Sequence, residues 1–424
     1  MADSFCVCCP AKSHKIVFEN GGVSLETKTA VITNPTGDAQ YEALNLETKA
    51  AVINHPTGDY QFEIINLGEL HPDEVVVKVV ASGICQSDEG VRDGSMAPLP
   101  AVLGHEGAGI IEKVGSGVKD FKAGDQVVMS FGYCTVCESC RTGQPSTCDH
   151  YNELNITGGE HQDGTHRFYK KDGTPVSNFL NQGSFSAYTI TSEASLIKVD
   201  PNADLRKLAP LGCGLMTGFG TVTSAMKPET GSSIAVFGTG AVGLGAMMTA
   251  KIEGCSTIIA VDIVDSRLEL ARELGATHII NSKTENVQER IAEITNGKGV
   301  NYSVDTTGVS QVMLASVQVL SKNGVAVPLA VTKNTMEFNP LGELVLGARK
   351  LLGVNLGNVV PQLAVPKLVD YYNQGKFPFD KLIKYYKFED INRAASDAVN
   401  GTTIKPVMII DEEYRNDDPV EYVS

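Results

Sequence analysis

Four thiols stand close together at Cys134, Cys137, Cys140 and Cys148. Gaps of two, two and seven residues let their sulfurs fold round one tetrahedral Zn2+, and a site closed by four thiolates is structural. The alternative is an incidental patch of redox thiols, which four sulfurs within 15 residues make the weaker reading. A sparser set is Cys85, His105 and Cys213. Singly, each reads as a buried thiol or a satisfied core histidine. Together they are two thiolates and one imidazole, the three protein ligands that leave zinc a fourth, open position. An open zinc polarises a carbonyl and lowers the pKa of a bound hydroxyl, to about 7 for water.

The third constellation is Gly238-Thr-Gly240-Ala-Val-Gly243. It follows a strand-like run, Ser233 to Phe237, and opens a helix-like one, Ala241 to Glu253. In that context the first glycine permits a tight turn, the second lets backbone approach pyrophosphate, and the third lets helix pack on strand. Phosphate meets the free N–H groups of the helix start. Asp262 lies 19 residues beyond Gly243 at the end of the next strand, where a carboxylate accepts from ribose hydroxyls and repels a 2′-phosphate. NAD is therefore expected as cofactor over NADP.

These groups need elements to position them. From Glu74 to Val128, short β-branched runs broken by glycine (Val75 to Val80, Gly107 to Val114, Asp125 to Met129) predict an all-β region. From Ser233 onward, strand-like runs at 234–237, 257–261, 278–280, 302–305 and 325–329 alternate with helix-like ones at 265–274, 285–295 and 310–320. That alternation predicts a parallel, doubly wound sheet. Residues 361–375 read as helix, 381–410 as further helix and a closing strand, and 411–424 as a loose acidic tail. Near the start, Leu25 to Asp38 returns as Leu46 to Asp59, matching at 11 of 14 positions. Two copies are too few for a solenoid. The second copy runs into strand-like Phe62 to Ile65 and is taken as the structural one.

Composition narrows the classes. The 424 residues suggest two or three domains, and 42% hydrophobic with 20% charged residues is ordinary globular usage. A formal charge of -15 excludes a chain-wide basic footprint, so nucleic acid is not expected as a partner. Residues 1–12 lack the pattern of a signal peptide. Thr230 to Ala250 carries no charge over 21 residues, but it contains the glycine turn and is not read as a membrane span. A cytoplasmic enzyme with reduced thiols is expected, and metal ligation then competes better than disulfides for its ten cysteines. Cys6, Cys8 and Cys9 crowd the N-terminus, and Cys255 ends a helix-like run.

Gly83-Ile-Cys85-Gln-Ser87-Asp88, Gly104-His105-Glu106-Gly107-Ala-Gly109, the thiol quartet, Cys213-Gly-Leu-Met-Thr217-Gly and the glycine turn occur in this order. The series resembles the zinc-containing medium-chain alcohol dehydrogenases, from about Leu46 to Ile410. Leu99 to Glu106, Ser130 to Cys134 and Asn152 to Asn155 look most like the aryl- or benzyl-alcohol members. The fold this implies is α/β, a GroES-like β-rich catalytic domain interrupted by a Rossmann cofactor domain. The expected division is an extension 1–45, catalytic residues 46–213, cofactor residues 214–357, a catalytic return at 358–410 and the tail 411–424.

By the same resemblance Cys85, His105 and Cys213 bind a catalytic zinc, with Glu106 behind it as an occasional further ligand. Ser87 takes the alcohol proton and Asp88 orients His105. Gln86 and Lys405 fall at the pyrophosphate, Thr217 and Val242 border the nicotinamide, and Arg267 lies near the adenosine ribose. Phe131 and Met96 map onto the substrate pocket. Two zinc ions per chain, a small alcohol or aldehyde substrate and a homodimer or homotetramer are implied. Liver-type members carry a relay histidine three residues after the serine, and this chain has Gly90 there. The expected function is hydride transfer between NAD and a benzylic or other conjugated primary alcohol. Asp163-Gly-Thr-His-Arg-Phe168 and Ser184-Phe-Ser-Ala-Tyr188 suggest a glutathione-dependent formaldehyde dehydrogenase instead, and a catalytically silent cofactor-binding protein is the reading from another class.

Overall fold

The computed structural model describes residues 31–33 and 40–424, apart from Asp93, Ser95, Gln162, Asn416 and Ser424. Most of the first repeat copy, with Cys6, Cys8 and Cys9, lies outside the described residues.

The β-branched run after Glu74 forms one long strand, Glu74–Gly83, buried along almost its whole length. A strand covered on both faces reads as continuous Val and Ala, as this one does. It is the hub of a seven-stranded sheet. Glu106–Val114, Tyr188–Ser192 and Lys405–Ile409 all pair with it antiparallel, and Ile383–Lys387 lies parallel beyond the last. The second repeat copy supplies Glu47–Ile53, which pairs with Gln61–Leu67 and Ala101–Val102 in a small closed barrel.

The other half is a six-stranded, wholly parallel sheet. Numbered by appearance from Ser233–Phe237, its strands stand in the order 3-2-1-4-5-6. The strand order reverses between Ser233–Phe237 and Val300–Asp305, the crevice where such sheets take their ligands.

Three segments differ from expectation. Ile383–Lys387 is a strand within a stretch read as helix. The terminal stretch is packed: Tyr414 donates its hydroxyl to the Ala203 carbonyl, Arg206 reaches the Asp418 carbonyl at 2.7 Å, and the Val423 amide bonds the Tyr385 carbonyl. Aromatic and apolar residues interleave with its acids, and burying them outweighs the charge. The end of the expected extension also carries a strand. Gln40–Ala43 pairs with Val31–Thr33 on one side and with Glu69–Leu70 on the other, so the end of the expected extension is part of a sheet.

Candidate active site and cofactor turn

Sheet register brings the sparse set together. Gly83 ends its strand directly opposite Glu106, the first residue of the neighbouring strand. Cys85 and His105 therefore leave the same end of the sheet side by side. Cys213 arrives from a 3-10 turn, Ala209–Gly212, held by the Ser130 hydroxyl donating to the Gly212 carbonyl at 2.7 Å. Gly212 packs so tightly that a Cβ there would come within 1.9 Å of the Met129 carbonyl oxygen.

The three ligand atoms lie within 4.8 Å of one another, and all three residues are buried. His105 Nδ1 bonds Asp88 Oδ1 at 2.8 Å, while its Nε2 is buried without a hydrogen-bond partner. An imidazole pinned by a carboxylate through one nitrogen and free at the other is how histidine presents itself to a metal. Asp88 also accepts from the Cys85 and Gly104 amides at 2.9 and 3.0 Å, so it fixes two of the three candidate ligands. Hydrogen bonding from Cys213 holds Cys85 well below the usual thiol range, and the same contact with burial raises Cys213. Two thiolates there need a cation to hold them, and the donor set fits zinc.

Glu106 sits behind this group with both oxygens occupied. Lys405 Nζ binds them at 2.7 and 2.9 Å and the Ile84 carbonyl at 3.1 Å, and the Gly214 amide donates to Oε1 at 3.3 Å. A Cβ on Gly83 would lie 2.3 Å from Glu106 Oε2, so only glycine leaves room for this carboxylate. Gln182, which the sequence did not single out, donates to the His105 carbonyl at 2.8 Å and accepts from the Gly107 amide. Nothing in the run around it marks it as a site residue.

Ser87 is partly exposed, 3.8 Å from Cys85 Sγ, and Gln86 beside it is exposed. A Cβ added to Gly90 meets nothing within 4 Å. Phe131 is fully buried, its ring centre 6.0 Å from that of Tyr133 and 6.1 Å from that of Tyr151. Burial, then the charge of Cys213, pushes the Tyr151 phenol up. The three rings form an aromatic cluster, with Tyr151 near enough to feel the Cys213 charge, and Tyr133 and Tyr151 join Phe131 as pocket candidates that the sequence did not reveal. Met96 is partly buried against the same core.

The thiol quartet also assembles. Cys134 and Cys140 sulfurs are 3.9 Å apart, as are those of Cys137 and Cys148. The edge of a tetrahedron with Zn–S near 2.3 Å is about 3.8 Å, so two opposite edges already have the right length. Backbone amides of Cys134 and Cys137 point at sulfur at 3.4 Å. Backbone donors bring Cys137 down to about 6, whereas burial and its neighbours push Cys140 up. Four thiolates this close require a shared cation.

At the glycine turn, Gly238 has φ +89° and its Cβ position lies 2.5 Å from Thr306 Oγ1. The Gly243 position lies 2.0 Å from the Gly238 carbonyl oxygen, and that of Gly240 faces open space. Tight turn, close packing and an open approach are the three features a pyrophosphate cradle needs. The helix Ala241–Ile252 starts there, and its Val242 side chain lies 3.5 Å from the Cβ position of Gly214, next to Cys213. Thr217 is half-buried on the packed helix Gly214–Gly220.

Three residues expected at the cofactor have partners within the protein. Lys405 is 3% exposed and binds both oxygens of Glu106. Asp262 Oδ2 accepts from the Thr239 amide and hydroxyl at 2.7 and 2.6 Å, and Oδ1 from the Ile263 and Val264 amides. Its four acceptor positions are thus filled by the turn it anchors, and ribose hydroxyls would have to displace Thr239. Arg267 donates to the Gly401 carbonyl at 3.1 Å, although its buried Nε has no partner.

Two family models match the chain: an alcohol dehydrogenase GroES-like domain over residues 71–201 and a zinc-binding dehydrogenase over residues 241–373. Geraniol dehydrogenase of Castellaniella defragrans is 36% identical over 344 residues, 80% of this chain and 91% of that protein. Benzyl alcohol dehydrogenase of Acinetobacter calcoaceticus is 42% identical, with a TM-score of 0.82 over 86% of this chain and 99% of that one. An alcohol dehydrogenase zinc-binding domain protein from Burkholderia ambifaria is 44% identical with the same coverage and TM-score.

Proposed function

The chain belongs to the zinc-containing medium-chain alcohol dehydrogenases, and from that premise we propose that it moves hydride between NAD and benzylic or other conjugated primary alcohols and their aldehydes. The observation that carries this is the convergence of Cys85, His105 and Cys213, with the free His105 Nε2, near the aromatic cluster. Cys85, His105 and Cys213 would hold a zinc ion that would supply the Lewis acid, and NAD would supply the hydride acceptor. Two of the relatives are dehydrogenases of geraniol and of benzyl alcohol, an allylic and a benzylic primary alcohol whose aldehydes are conjugated, which supports the substrate class.

The chain's own residues do the rest. Asp88 holds His105 in one tautomer and orientation. Ser87, 3.8 Å from Cys85 Sγ, would accept the proton the alcohol gives up, and with Gly90 following it that proton would leave through water or cofactor hydroxyls. Tyr133 and Tyr151, backed by the buried Phe131, would give a flat, π-conjugated substrate a surface to lie on and exclude water from it. Holding substrate and nicotinamide in register makes the transfer effectively intramolecular. Gly238, Gly240 and Gly243 would cradle the pyrophosphate. Asp262 supports NAD chiefly by repulsion, since a 2′-phosphate would bring negative charge against a carboxylate whose acceptor positions are taken. The quartet would hold a second, structural zinc.

The test is reduced-cofactor formation across aliphatic, benzylic, allylic and glutathione-adduct alcohols with each cofactor. The expected result is highest kcat/KM for benzylic or allylic alcohols with NAD. Preference for the glutathione adduct, or for NADP, overturns this reading.

A further inference from the structure

A second group of imidazoles and carboxylates lies at the far end of the strand Glu74–Gly83 from Cys85. At ~3.3 Å per residue, the strand puts about 30 Å between them. His71 precedes this strand, and His161, Asp163, Thr165 and Arg167 come from the segment joining the thiol quartet region to the barrel. Ligand atoms of His71, His161 and Asp163 lie within 4.8 Å of one another. Glu74 is buried behind them, accepting from Arg167 at 2.7 Å and from the His71 amide at 3.1 Å. Burial raises that carboxyl, but Arg167 and His161 pull it down to about 2, so it is ionised.

Hydrogen-bond accounting shows what the cluster demands. The Thr165 hydroxyl lies 2.7 Å from Asp163 Oδ1, 3.1 Å from His71 Nε2 and 3.0 Å from His161 Nδ1. Its single proton goes to the carboxylate, so both imidazole nitrogens must donate to its oxygen. His161 Nε2, 2.9 Å from Glu74 Oε1, must donate as well. Either imidazole can give up its cluster-facing proton to a metal: His161 keeps its other proton on Nε2 toward Glu74, and the proton of His71 moves to Nδ1.

We propose that His71, His161 and Asp163 form a third cation site, for a first-row divalent ion of the zinc class, separate from both zinc sites of the family. Two imidazoles and a carboxylate suit zinc, nickel and copper better than magnesium or calcium. The surrounding shell is already in place: Glu74 holds the rear nitrogen of His161 as a carboxylate does in histidine–metal sites, and Arg167 holds Glu74. The metal displaces the proton from His161 Nδ1 and takes the place of the Thr165 contacts, and water completes its coordination. The two rings stack at 3.8 Å with 18° between their planes, so binding swings them apart to aim both lone pairs at one point. This also gives Asp163 to Phe168 a role in the fold that needs no glutathione.

The test is zinc per chain by elemental analysis, on zinc-loaded full-length enzyme equilibrated with buffered free Zn2+ up to millimolar. Wild type is compared with His161→Gln, His71→Gln and Asp163→Asn, which spares the fold because the asparagine oxygen can still accept from the Thr165 amide and hydroxyl. The wild type is expected to take up one equivalent more than either histidine variant, and Asp163→Asn to bind it at least tenfold more weakly. Turnover should be unchanged in all three. Zinc held by the terminal thiols is common to all four proteins and cancels. Absence of the extra equivalent in the wild type, or uptake equal in wild type and Asp163→Asn, overturns the proposal.

Discussion

Lys405→Met is the substitution whose cost the structure fixes best. Both partners of the Lys405–Glu106 pair are buried, at 3% and 0% exposure, and the lysine supplies both short contacts to the carboxylate. Methionine keeps the length and apolar stem, so little cavity is created. What remains is a buried carboxylate with one amide contact, from Gly214 at 3.3 Å. Burial already pushes this carboxyl up to about 7 with the ammonium beside it. Removing one member of a buried pair typically costs about 3–5 kcal/mol, because the other is left uncompensated. That is a large share of the roughly 5–15 kcal/mol that holds an ordinary domain together. Replacing both members, as Lys405→Met with Glu106→Gln, should restore stability to within about 1–2 kcal/mol of wild type. Urea unfolding of zinc-loaded protein followed by far-UV circular dichroism is the assay, since the chain has no tryptophan. A single variant within 1 kcal/mol of wild type, or a double variant worse than the single, would refute the reasoning.

Other consequences are as direct. Asp88→Asn keeps the shape but weakens the hold on His105 Nδ1 and on the Cys85 amide; it should cost about 10–100-fold in zinc affinity, read by chelator competition, and unchanged affinity would contradict that role. Gly238→Ala forces a side chain into φ +89° and to within 2.5 Å of Thr306 Oγ1, a strain of at least ~1.4 kcal/mol, so NADH should bind at least about tenfold more weakly while zinc content stays the same. Glu74 ionises at about 2 in the fold against 4.5 when free, so its contribution is present above the higher value and disappears as pH falls toward the lower. At about 1.4 kcal/mol per unit this is about 3 kcal/mol; Glu74→Gln should lower the melting temperature at neutral pH, and its gap from wild type should close between pH 4.5 and 2. A gap that is constant with pH would show that the charge is not what Glu74 contributes.

The parts of the site that were legible in the sequence are those fixed by local chemistry. Four cysteines spaced for one ion, and three glycines between a strand and a helix, carry their geometry in the spacing itself. Cys85, His105 and Cys213 are distant in sequence and became readable through the order of the motifs around them. Pairing across the sheet was not legible. Gly83 opposite Glu106 and Lys405 beside them depend on strand register, which no local spacing encodes, so the ion pair of Lys405 with Glu106 was not legible. Asp262 was found by position, but the hydroxyl and amide that occupy it belong to a loop 23 residues earlier. The terminal acids suggested a solvated tail because charge is counted residue by residue, whereas Tyr414, Val420 and Tyr422 among them dock on the core. Gln182 carried no signal because its value lies only in the two backbone groups it meets.

The most direct test of the account is the zinc content and turnover of Cys213→Ser, compared with wild type after both are passed over chelating resin to strip weakly held metal. Wild type is predicted to keep two zinc ions per chain and to oxidise benzyl alcohol with NAD. The variant should keep one, held by Cys134, Cys137, Cys140 and Cys148, remain folded and lose turnover. A variant that still held two zinc ions, or still turned over at the wild-type rate, would contradict the assignment of Cys85, His105 and Cys213 as the catalytic metal centre.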